Sequence, residues 1–307
     1  MTVTFLLTGA SGFVGSRVAA AARLRPGVRV RQLSRQGAHG PDAVRGDLSD
    51  PPSLRGTCTG VDVLLHCATR ISGDDAGVEA VNDHGTRALV EEAVRAGVRR
   101  IVYVSTAAVH GRGPFRGVRP GQAPIAPASA TSRSRAAAER HVLDAGGLVL
   151  RPHLVYGEGD RWVVPAVAWL LGELSATVTG CTALQSMIDV STLGRAVVAA
   201  ALSPAHDGGA HYVAHPEPVP VTELLGAVRE ELGVPGGGEA VDVATALERA
   251  AGSPRALHHL SMLTVDHWFV DDGFWKDLDC PPGDGFAAGF RRAAPWYRSF
   301  LAGRTAS

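Results

Sequence analysis

The first half of the chain alternates between two spacings of hydrophobic positions. Short continuous apolar runs, such as Val3 to Leu7, are typical of strands buried on both faces of a parallel sheet. Longer stretches with apolar residues on one face, such as Phe13 to Arg25, predict helices. Further strands are predicted at 28–33, 43–48, 61–68, 101–105 and 148–151, and further helices at 53–58, 79–96 and 132–143. Repeated strand–helix–strand units predict an α/β fold with a doubly wound, Rossmann-like parallel sheet.

The second half is less regular. Helices are predicted at 162–174, 192–202, 222–232 and 286–301, a strand at 210–214 and a loop at 233–238. We expect residues 1–155 to carry the parallel sheet, with the chain returning to it around 183–215. Residues 156–307 are expected to form mainly a smaller lobe that covers the substrate.

Composition narrows the class of protein. The 307 residues are 45% hydrophobic and 20% charged, with 30 basic and 30 acidic residues, so the formal net charge is zero. This balance gives no reason to expect a nucleic acid or an anionic membrane as partner. The sequence has no apolar run of membrane-spanning length, no signal-peptide pattern at its start and no Cys-x-x-Cys pair among its four cysteines. A cytoplasmic location is therefore expected.

A glycine-rich turn joins the first predicted strand to the first predicted helix. In the segment from Thr8 to Gly15, one glycine permits the tight turn, the next allows backbone to approach a pyrophosphate, and the third allows close helix–strand packing. The helix N-terminus would then face the phosphates. The turn residues predicted to contact a dinucleotide are Gly9, Ser11, Gly12, Phe13, Val14 and Gly15.

The end of the second strand bears on the choice between NAD and NADP(H). An acidic residue there would bind both ribose hydroxyls and repel a 2′-phosphate. The chain instead reads Leu33-Ser34-Arg35. Because Arg35 can pair with a phosphate and Ser34 can donate a hydrogen bond, the sequence favours NADP(H) as cofactor.

Six segments carry a resemblance to a known family. They are Gly46-Asp47-Leu48, His66-Cys67-Ala68-Thr69, Val81-Asn82-Asp83-His84-Gly85-Thr86, Tyr103 to Gly111, Leu150 to Asp160, and Ser186 to Val190. In this order, over residues 1 to about 200, the chain resembles the extended short-chain dehydrogenases/reductases, also called NAD-dependent epimerases/dehydratases. The resemblance implies further cofactor contacts from Asp47, Leu48, Cys67, Ala68, Thr69, Asn82, Arg135, Pro152 and Val155.

The resemblance also implies a catalytic site, from which one pair of residues is missing. Thr106 takes the place of the family's Ser/Thr that binds the substrate oxygen. The family's Tyr-x-x-x-Lys is replaced by Thr131 and Arg135, and the only lysine of the chain is Lys276. Arg135 can hold the nicotinamide ribose and supply positive charge, but it cannot carry a proton. Thr131 is a poor acid.

Three alternatives follow from the missing pair. A histidine, either His110 or His153, could donate the proton from a loop that faces the nicotinamide. A water held by Thr106, Thr131 and Ser132 could serve instead. Otherwise the fold no longer performs redox chemistry.

Candidate substrate contacts are Arg70, after the fourth strand, and Arg161 with Trp162. An arginine beside an aromatic ring can grip a diphosphate and stack on a base. The family's epimerases often carry an arginine at the position of Gln185, which weakens a direct copy of their diphosphate binding. No metal set is predicted, because the adjacent pair His258-His259 does not converge on one helix face.

A subgroup resemblance makes the prediction more specific. The segments 28–35, 132–135, 146–157 and 159–162 resemble actinobacterial 4-ketoreductases of deoxysugar biosynthesis. The resemblance implies an oxidoreductase of natural-product (antibiotic) biosynthesis, which reduces a dTDP-4-keto-6-deoxyhexose with NADPH. Homodimers through the two longest helices are common in the family. The rival hypothesis is a redox-silent NADP-binding protein or a non-redox catalyst, and a sugar-nucleotide epimerase is third.

Overall fold

The computed structural model describes residues 2–35, 40–234 and 239–305. The strands are β1 (Val3–Thr8), β2 (Val28–Ser34), β3 (Ala43–Arg45), β4 (Val63–His66), β5 (Arg100–Val104), β6 (Phe115–Val118), β7 (Leu148–Arg151), β8 (Leu154–Tyr156), β9 (Thr177–Val178), β10 (Leu184–Gln185), β11 (Met187–Asp189), β12 (Gly209–Tyr212), β13 (Val219–Pro220), β14 (Ala240–Val241) and β15 (His267–Phe269). The α-helices are α1 (Phe13–Arg23), α2 (Asp75–Glu79), α3 (Gly85–Arg95), α4 (Ala130–Asp144), α5 (Val163–Leu174), α6 (Val190–Leu202), α7 (Val221–Leu232), α8 (Val243–Ala250), α9 (Pro254–Leu263) and α10 (Gly285–Thr305).

A seven-stranded sheet organises the fold. Its order is β12-β7-β5-β4-β1-β2-β3, and every neighbouring pair is parallel. This arrangement confirms the predicted α/β fold with a doubly wound, Rossmann-like sheet. Because all the carboxyl ends meet at one edge, the loops after β1, β2, β4, β5 and β7 gather there.

Helices cover both faces of this sheet. Phe5 and Leu7 of β1 face a core shared with α1 and α6, and Leu6 faces a second core shared with α3 and α4. This burial on both sides explains why β1 reads as one continuous apolar run. The backbones of α1 and α6 approach closely, since a Cβ at Gly194 would lie 2.7 Å from the carbonyl carbon of Arg17.

A second, four-stranded sheet has the order β13-β10-β15-β6. Three of its strands come from the second half of the chain, but β6 comes from the first half, within a segment predicted to be a loop. Strand β6 pairs in parallel with β15, and the ion pairs Arg116–Asp266 and Arg119–Asp272, both at 2.6 Å, flank it. Strands of two to four residues are too short to show a period of two, so their pattern does not predict them.

Three other predicted elements differ from the structure. In place of the helix predicted at 53–58, a 3₁₀ turn spans Pro51–Leu54. The strand predicted at 43–48 ends at Arg45, and the chain turns shortly afterwards, where Asp47 and Asp50 form an isolated antiparallel bridge. The helix predicted at 79–96 is continuous with α2, but a π-helical turn at Ala80–His84 interrupts it before α3. Of the loop predicted at 233–238, residues 235–238 lie outside the described residues. Among the described helices, none combines the length and the apolar character needed to cross a membrane.

A buried ion pair fixes α4 against β7. The guanidinium of Arg151 donates to the carboxylate of Glu139 at 2.5, 3.0 and 3.2 Å, and both side chains are almost fully buried. Each charge therefore depends on the other for compensation.

We expect Glu139→Gln to lower the free energy of unfolding by about 3–5 kcal/mol, because it leaves the Arg151 charge buried and uncompensated. Urea unfolding followed by circular dichroism measures the change. The matched control is Glu91→Gln, which removes an exposed partner of Arg87 and should cost at most about 0.5 kcal/mol. Equal losses in the two variants would contradict this account of the pair.

Candidate active site

The glycine turn after β1 has the geometry of a phosphate cradle. Gly9 has a φ of +70°, and a Cβ there would lie 2.7 Å from the amide nitrogen of Ala68. A Cβ at Gly15 would lie 2.1 Å from the carbonyl oxygen of Gly9. Both positions therefore require glycine. Gly12 is the exposed N-cap of α1 and no side chain caps it, so the first N–H groups of the helix are available to an anion.

The hydroxyl of Thr8 joins the carboxyl ends of β1 and β4. It accepts from the amide nitrogens of Cys67 at 3.2 Å and Ala68 at 3.1 Å, and it lies 2.6 Å from Nδ1 of His66. Because two N–H groups use its lone pairs, the hydroxyl donates its proton to His66. The single ring proton of His66 therefore lies on Nε2, which donates to the hydroxyl of Thr86 at 2.8 Å. Burial holds the pKa of His66 at about 3, with the Arg135 charge as a lesser cause, so the ring is neutral.

The ends of β2 and β3 form the edge where the adenine end of a dinucleotide would lie. Ser34 is half-buried and Arg35 is exposed. The carboxylate of Asp47 accepts from the amide and the hydroxyl of Ser49 at 2.8 and 2.7 Å. Leu48 is buried against Gly85, where a Cβ would lie 2.3 Å from the Leu48 carbonyl oxygen.

Asn82, on the π-helical turn, holds the loop after β4. Its Oδ1 accepts from the Arg70 amide at 2.7 Å and the Thr69 hydroxyl at 3.2 Å. Its Nδ2 donates to the Arg70 carbonyl at 2.8 Å and to Ser134 at 3.1 Å. All four hydrogen-bonding positions are thus used within the protein. Asn82 therefore fixes the conformation of the loop that contains Cys67, Ala68 and Thr69.

The side chain of Arg70 folds back on its own loop. Nε donates to the Ser72 carbonyl at 3.0 Å, and Nη2 lies 3.5 Å from Asp74. Gly73 and Gly77 leave room for the guanidinium, since a Cβ at either would lie within 2.6 Å of it. The loop uses Nε and Nη2 of the exposed guanidinium, and the predicted substrate contact of Arg70 stays a prediction.

Thr106 and Arg135 lie around the carboxyl end of β5. The Thr106 hydroxyl accepts from the Ala108 amide at 3.2 Å, and the residue is half-buried. Nη2 of Arg135 donates to the Val104 carbonyl at 2.8 Å, two residues before Thr106. Nε of Arg135 and the hydroxyl of Ser105 are buried without a partner in the described chain. Buried polar groups usually have a partner, so these two groups are exceptions among the described residues at this strand end.

Thr131 is half-buried in the first turn of α4, one helical turn before Arg135. Its hydroxyl has no hydrogen-bond partner within the described parts of the chain, whereas that of Ser132 is committed. Ser132 forms a capping box with Ser129, with bonds of 2.9 and 3.1 Å. Ser132 therefore stabilises the helix start and is not free to hold a water.

His110 does not lie in a loop that faces the cofactor, as predicted, but is buried in the 3₁₀ turn Ala107–His110. Nδ1 lies 2.8 Å from the Pro124 carbonyl, so it carries the proton, and Nε2 accepts from the Tyr212 hydroxyl at 2.8 Å. Burial lowers the pKa of the ring. Both nitrogens are occupied, so His110 has no free N–H for proton transfer.

His153 is half-buried after β7 and has a fixed tautomer. The amide of Gln185 donates to the carbonyls of Leu263 at 3.1 Å and Val265 at 2.8 Å, so its Oε1 must be the acceptor for Nε2–H of His153 at 3.1 Å. Burial lowers the pKa of His153 to about 4, aided by His267, which stacks on it at 5.3 Å. The ring is thus neutral at pH 7 and its N–H is committed.

Sequence reasoning missed three partners of this cluster. Gln185, Tyr212 and His267 come from the later strands β10, β12 and β15. His267 donates from Nδ1 to the Val265 carbonyl and accepts at Nε2 from the Gly113 amide. Of these three, the sequence singles out only Gln185, because it stands where the family's epimerases often carry an arginine.

The segments after β7 and β8 are the remaining parts of the candidate site. Pro152 is buried and its carbonyl accepts from the Ala107 amide at 2.8 Å, which fixes the turn after Thr106. Val155 is half-buried in β8, beside Ile188 of β11. Arg161 and Trp162 are both exposed. Their loop touches the glycine turn, since a Cβ at Gly159 would contact the ring of Phe13 at 3.2 Å.

The π-helical turn also gathers three side chains with metal-binding groups, which the sequence did not indicate. Glu79, Asp83 and His84 place one ligand atom each within 4.8 Å of one another. The extra residue of the π turn brings positions five apart onto one face. Asp83 is already hydrogen-bonded to His141 at 2.6 Å, and the other two residues are exposed.

Comparison with known proteins identifies the family. The sequence profile of the NAD dependent epimerase/dehydratase family matches residues 5–214, which is more than half of the chain. The chain belongs to this family.

Individual members of the family, and one solved structure, give further comparisons. The chain is 28% identical to the 2-alkyl-3-oxoalkanoate reductase of Stenotrophomonas maltophilia, over 94% of this chain and 97% of that protein. It is 31% identical to the 4-hydroxy-2-methyl-3-oxo-4-farnesyl-3,4-dihydroquinoline-1-oxide ketoreductase of Stigmatella aurantiaca, over 52% of each chain. Thermotoga maritima UDP-glucose 4-epimerase, solved with UDP-glucose, superposes with a TM-score of 0.75 at 16% identity, covering 97% of this chain and 100% of that one. The last comparison shows the fold alone.

The nicotinamide dinucleotide implied by membership of the NAD dependent epimerase/dehydratase family fits the residues present. A side chain at Gly9 or Gly15 would close the cradle, and the uncapped start of α1 suits a pyrophosphate. At the other end, the unpaired Nε of Arg135 is a donor suited to ribose hydroxyls. The burial of Cys67 raises the pKa of its thiol to about 12, so a neutral thiol lies along the site.

We expect Thr8→Val to lower the free energy of unfolding by about 2–3 kcal/mol, because it leaves His66 and two backbone amides without their partner. Urea unfolding measures the loss. The matched control on the same strand is Thr4→Val, whose lost hydroxyl has no partner in the residues that the structure describes. If Thr4→Val lowers the free energy of unfolding by the same amount, the hydrogen bonds of the Thr8 hydroxyl do not account for the loss.

Proposed function

We propose that this protein is an NADPH-dependent ketoreductase. The observation that carries the proposal is Arg135, which reaches the Val104 carbonyl beside Thr106 and keeps one buried donor unpaired. A cation and a hydroxyl at the nicotinamide end of a dinucleotide cradle are what carbonyl reduction needs, since negative charge develops on the substrate oxygen. The relatives named as reductases support an oxidoreductase. We further propose that residues 1–155 bind the cofactor and that 156–307 mainly cover the substrate.

Our proposal of NADP(H) over NAD rests on the end of β2. The side chain there is Ser34, which does not repel a phosphate, and the exposed Arg35 follows it. The cofactor would be held by the glycine turn, by the backbone around Asp47 and Leu48, and by Arg135.

The bound cofactor would supply a hydride from nicotinamide C4 to the carbonyl carbon. The hydroxyl of Thr106 can point its proton at the carbonyl oxygen, because its lone pair already accepts from the Ala108 amide. Arg135 lends positive charge to the alkoxide without giving up a proton. Thr106 and Thr131 would hold the water that supplies the proton, since Thr131 has an uncommitted hydroxyl near Arg135.

The candidate histidines are poor proton donors in this geometry. His110 uses both nitrogens in buried hydrogen bonds, and His153 is neutral with its N–H given to Gln185. We therefore assign the proton to water.

The first candidate substrate is the 4-ketone of a dTDP-4-keto-6-deoxysugar, as the subgroup resemblance implies. Exposed Arg161 and Trp162 beside the glycine turn are the groups suited to its diphosphate and base.

A specific observation favours a second candidate, a 3-oxo carboxylate without a nucleotide. Gln185, at the position where the family's epimerases often carry a diphosphate-binding arginine, is buried and makes all of its hydrogen bonds inside the protein. The guanidinium of Arg70 also bonds to its own loop through Nε, although the side chain is exposed. The relative that spans nearly the whole chain is named for a 3-oxoalkanoate.

The deciding experiment follows the loss of NADPH absorbance with purified protein, with NADH run alongside. A dTDP-4-keto-6-deoxysugar and a 2-alkyl-3-oxoalkanoate are supplied separately. Consumption of one equivalent of NADPH per alcohol formed is expected with one of them. If NADPH binds but neither ketone is reduced, both candidate substrates are wrong, and the result favours the redox-silent NADP-binding alternative over the ketoreductase.

We expect Thr106→Val to lower kcat by about 10²–10³-fold, because it removes the donor aimed at the developing oxyanion. The Kd for NADPH should stay within about twofold, since Thr106 does not bind the cofactor in this scheme. Thr59→Val, at an exposed position away from the site, is the control. Unchanged turnover in Thr106→Val would remove this residue from the mechanism.

We expect His153→Gln to change kcat by less than about threefold at pH 7, because the neutral ring is not the acid. Turnover and NADPH binding are measured together. A 100-fold loss of kcat with normal NADPH binding would instead make His153 the proton donor.

A further inference from the structure

The carboxyl ends of β2 and β3 bring a third polar side chain beside Ser34 and Arg35. Ser34 and Arg45 are direct neighbours in the parallel register, and the Gly46 amide donates to the Ser34 carbonyl at 3.2 Å. In-register neighbours project to the same face of a sheet. The preceding pair, Leu33 and Val44, lies in the core shared with α3, so Ser34 and Arg45 face the opposite side, toward α1.

No carboxylate neutralises the two arginines in the described chain. Arg35 and Arg45 are exposed and form no ion pair or hydrogen bond there. The nearest acidic residues in sequence are engaged, since Asp42 pairs with Arg29 at 2.6 Å and Asp47 accepts from Ser49. Residues 36–39, which the structure does not describe, include no acidic residue. Two arginines without a carboxylate partner in the described chain thus lie next to Ser34, Arg35 in sequence and Arg45 in register.

We propose that Arg45 is a specificity-determining residue of the cofactor site and that it binds the 2′-phosphate together with Arg35 and Ser34. The inference rests on the proposed preference for NADP(H) and adds a residue to it. A phosphate monoester near neutral pH carries between one and two negative charges and has three acceptor oxygens, so two arginines and a hydroxyl match both its charge and its acceptors.

The test measures binding without turnover. Fluorescence titration gives the Kd of NADPH and NADH, and competition gives the Kd of adenosine 2′,5′-bisphosphate and AMP. The variants are Arg45→Ala, Arg35→Ala and the double variant. Arg140→Ala is the matched control, because Arg140 is exposed on α4 and has no ion pair in the described chain. Circular dichroism checks the fold of each variant.

Arg45→Ala is expected to raise the Kd of NADPH and of adenosine 2′,5′-bisphosphate by about 10–100-fold, because it removes a charge-assisted hydrogen bond. The Kd of NADH and the Kd of AMP should change by less than about twofold. The loss of NADPH affinity should become smaller at high salt, because salt screens the charges. Equal weakening of NADPH and NADH, or no more effect than Arg140→Ala, would overturn the role of Arg45.

The outcomes also separate this inference from the proposed function. If the wild-type protein prefers NADPH and only Arg35→Ala reduces the preference, the inference about Arg45 fails alone. If the wild-type protein binds NADH at least as tightly, the proposed preference for NADP(H) fails and the inference with it. Ketone reduction is decided by the separate absorbance experiment.

Discussion

The fold depends on a single hydroxyl at the centre of the large sheet. Thr8 ends β1, and its hydroxyl holds two amides and a histidine of the neighbouring strand end. This junction holds the backbone of Ala68 close to Gly9. The backbone of Gly9 in turn contacts Gly15, at the start of α1, so the junction determines how closely α1 packs on the sheet. Because α1 packs tightly on α6, an error in this junction would shift helices far from it.

Much of the fold could be predicted because one pattern dominated each predicted element. The strands of the large sheet are buried on both faces, so their apolar runs were visible, and the glycines after β1 fixed where α1 begins. The small sheet left no such trace, since its strands are too short for a period to emerge. The π-helical turn was also invisible, because Ala80–His84 has ordinary helix-forming residues and only the packing of Gly85 against Leu48 marks it.

The candidate site likewise contains residues whose placement could be predicted from the sequence and residues whose placement could not. The glycine turn lies where the local sequence predicts it, because its backbone geometry depends on neighbours along the chain. The roles of Thr106 and Arg135 come from the family resemblance and stay predictions. The tasks of His110, His153 and Arg70 depend on partners 14 to 102 residues away or on the way a loop folds, and sequence alone does not give those. The tautomer of His153 is an extreme case, since it follows from which carbonyls the amide of Gln185 reaches.

The insertion of β6 into the small sheet has a consequence for the evolution of this chain. Strand β6 lies between Thr106 and the helix that carries Thr131 and Arg135, yet it pairs with β15, about 150 residues later. The two halves are therefore not exchangeable modules. A recombination event that replaced the second half would remove the strand that pairs with β6, and with it the support of the segment between Thr106 and α4.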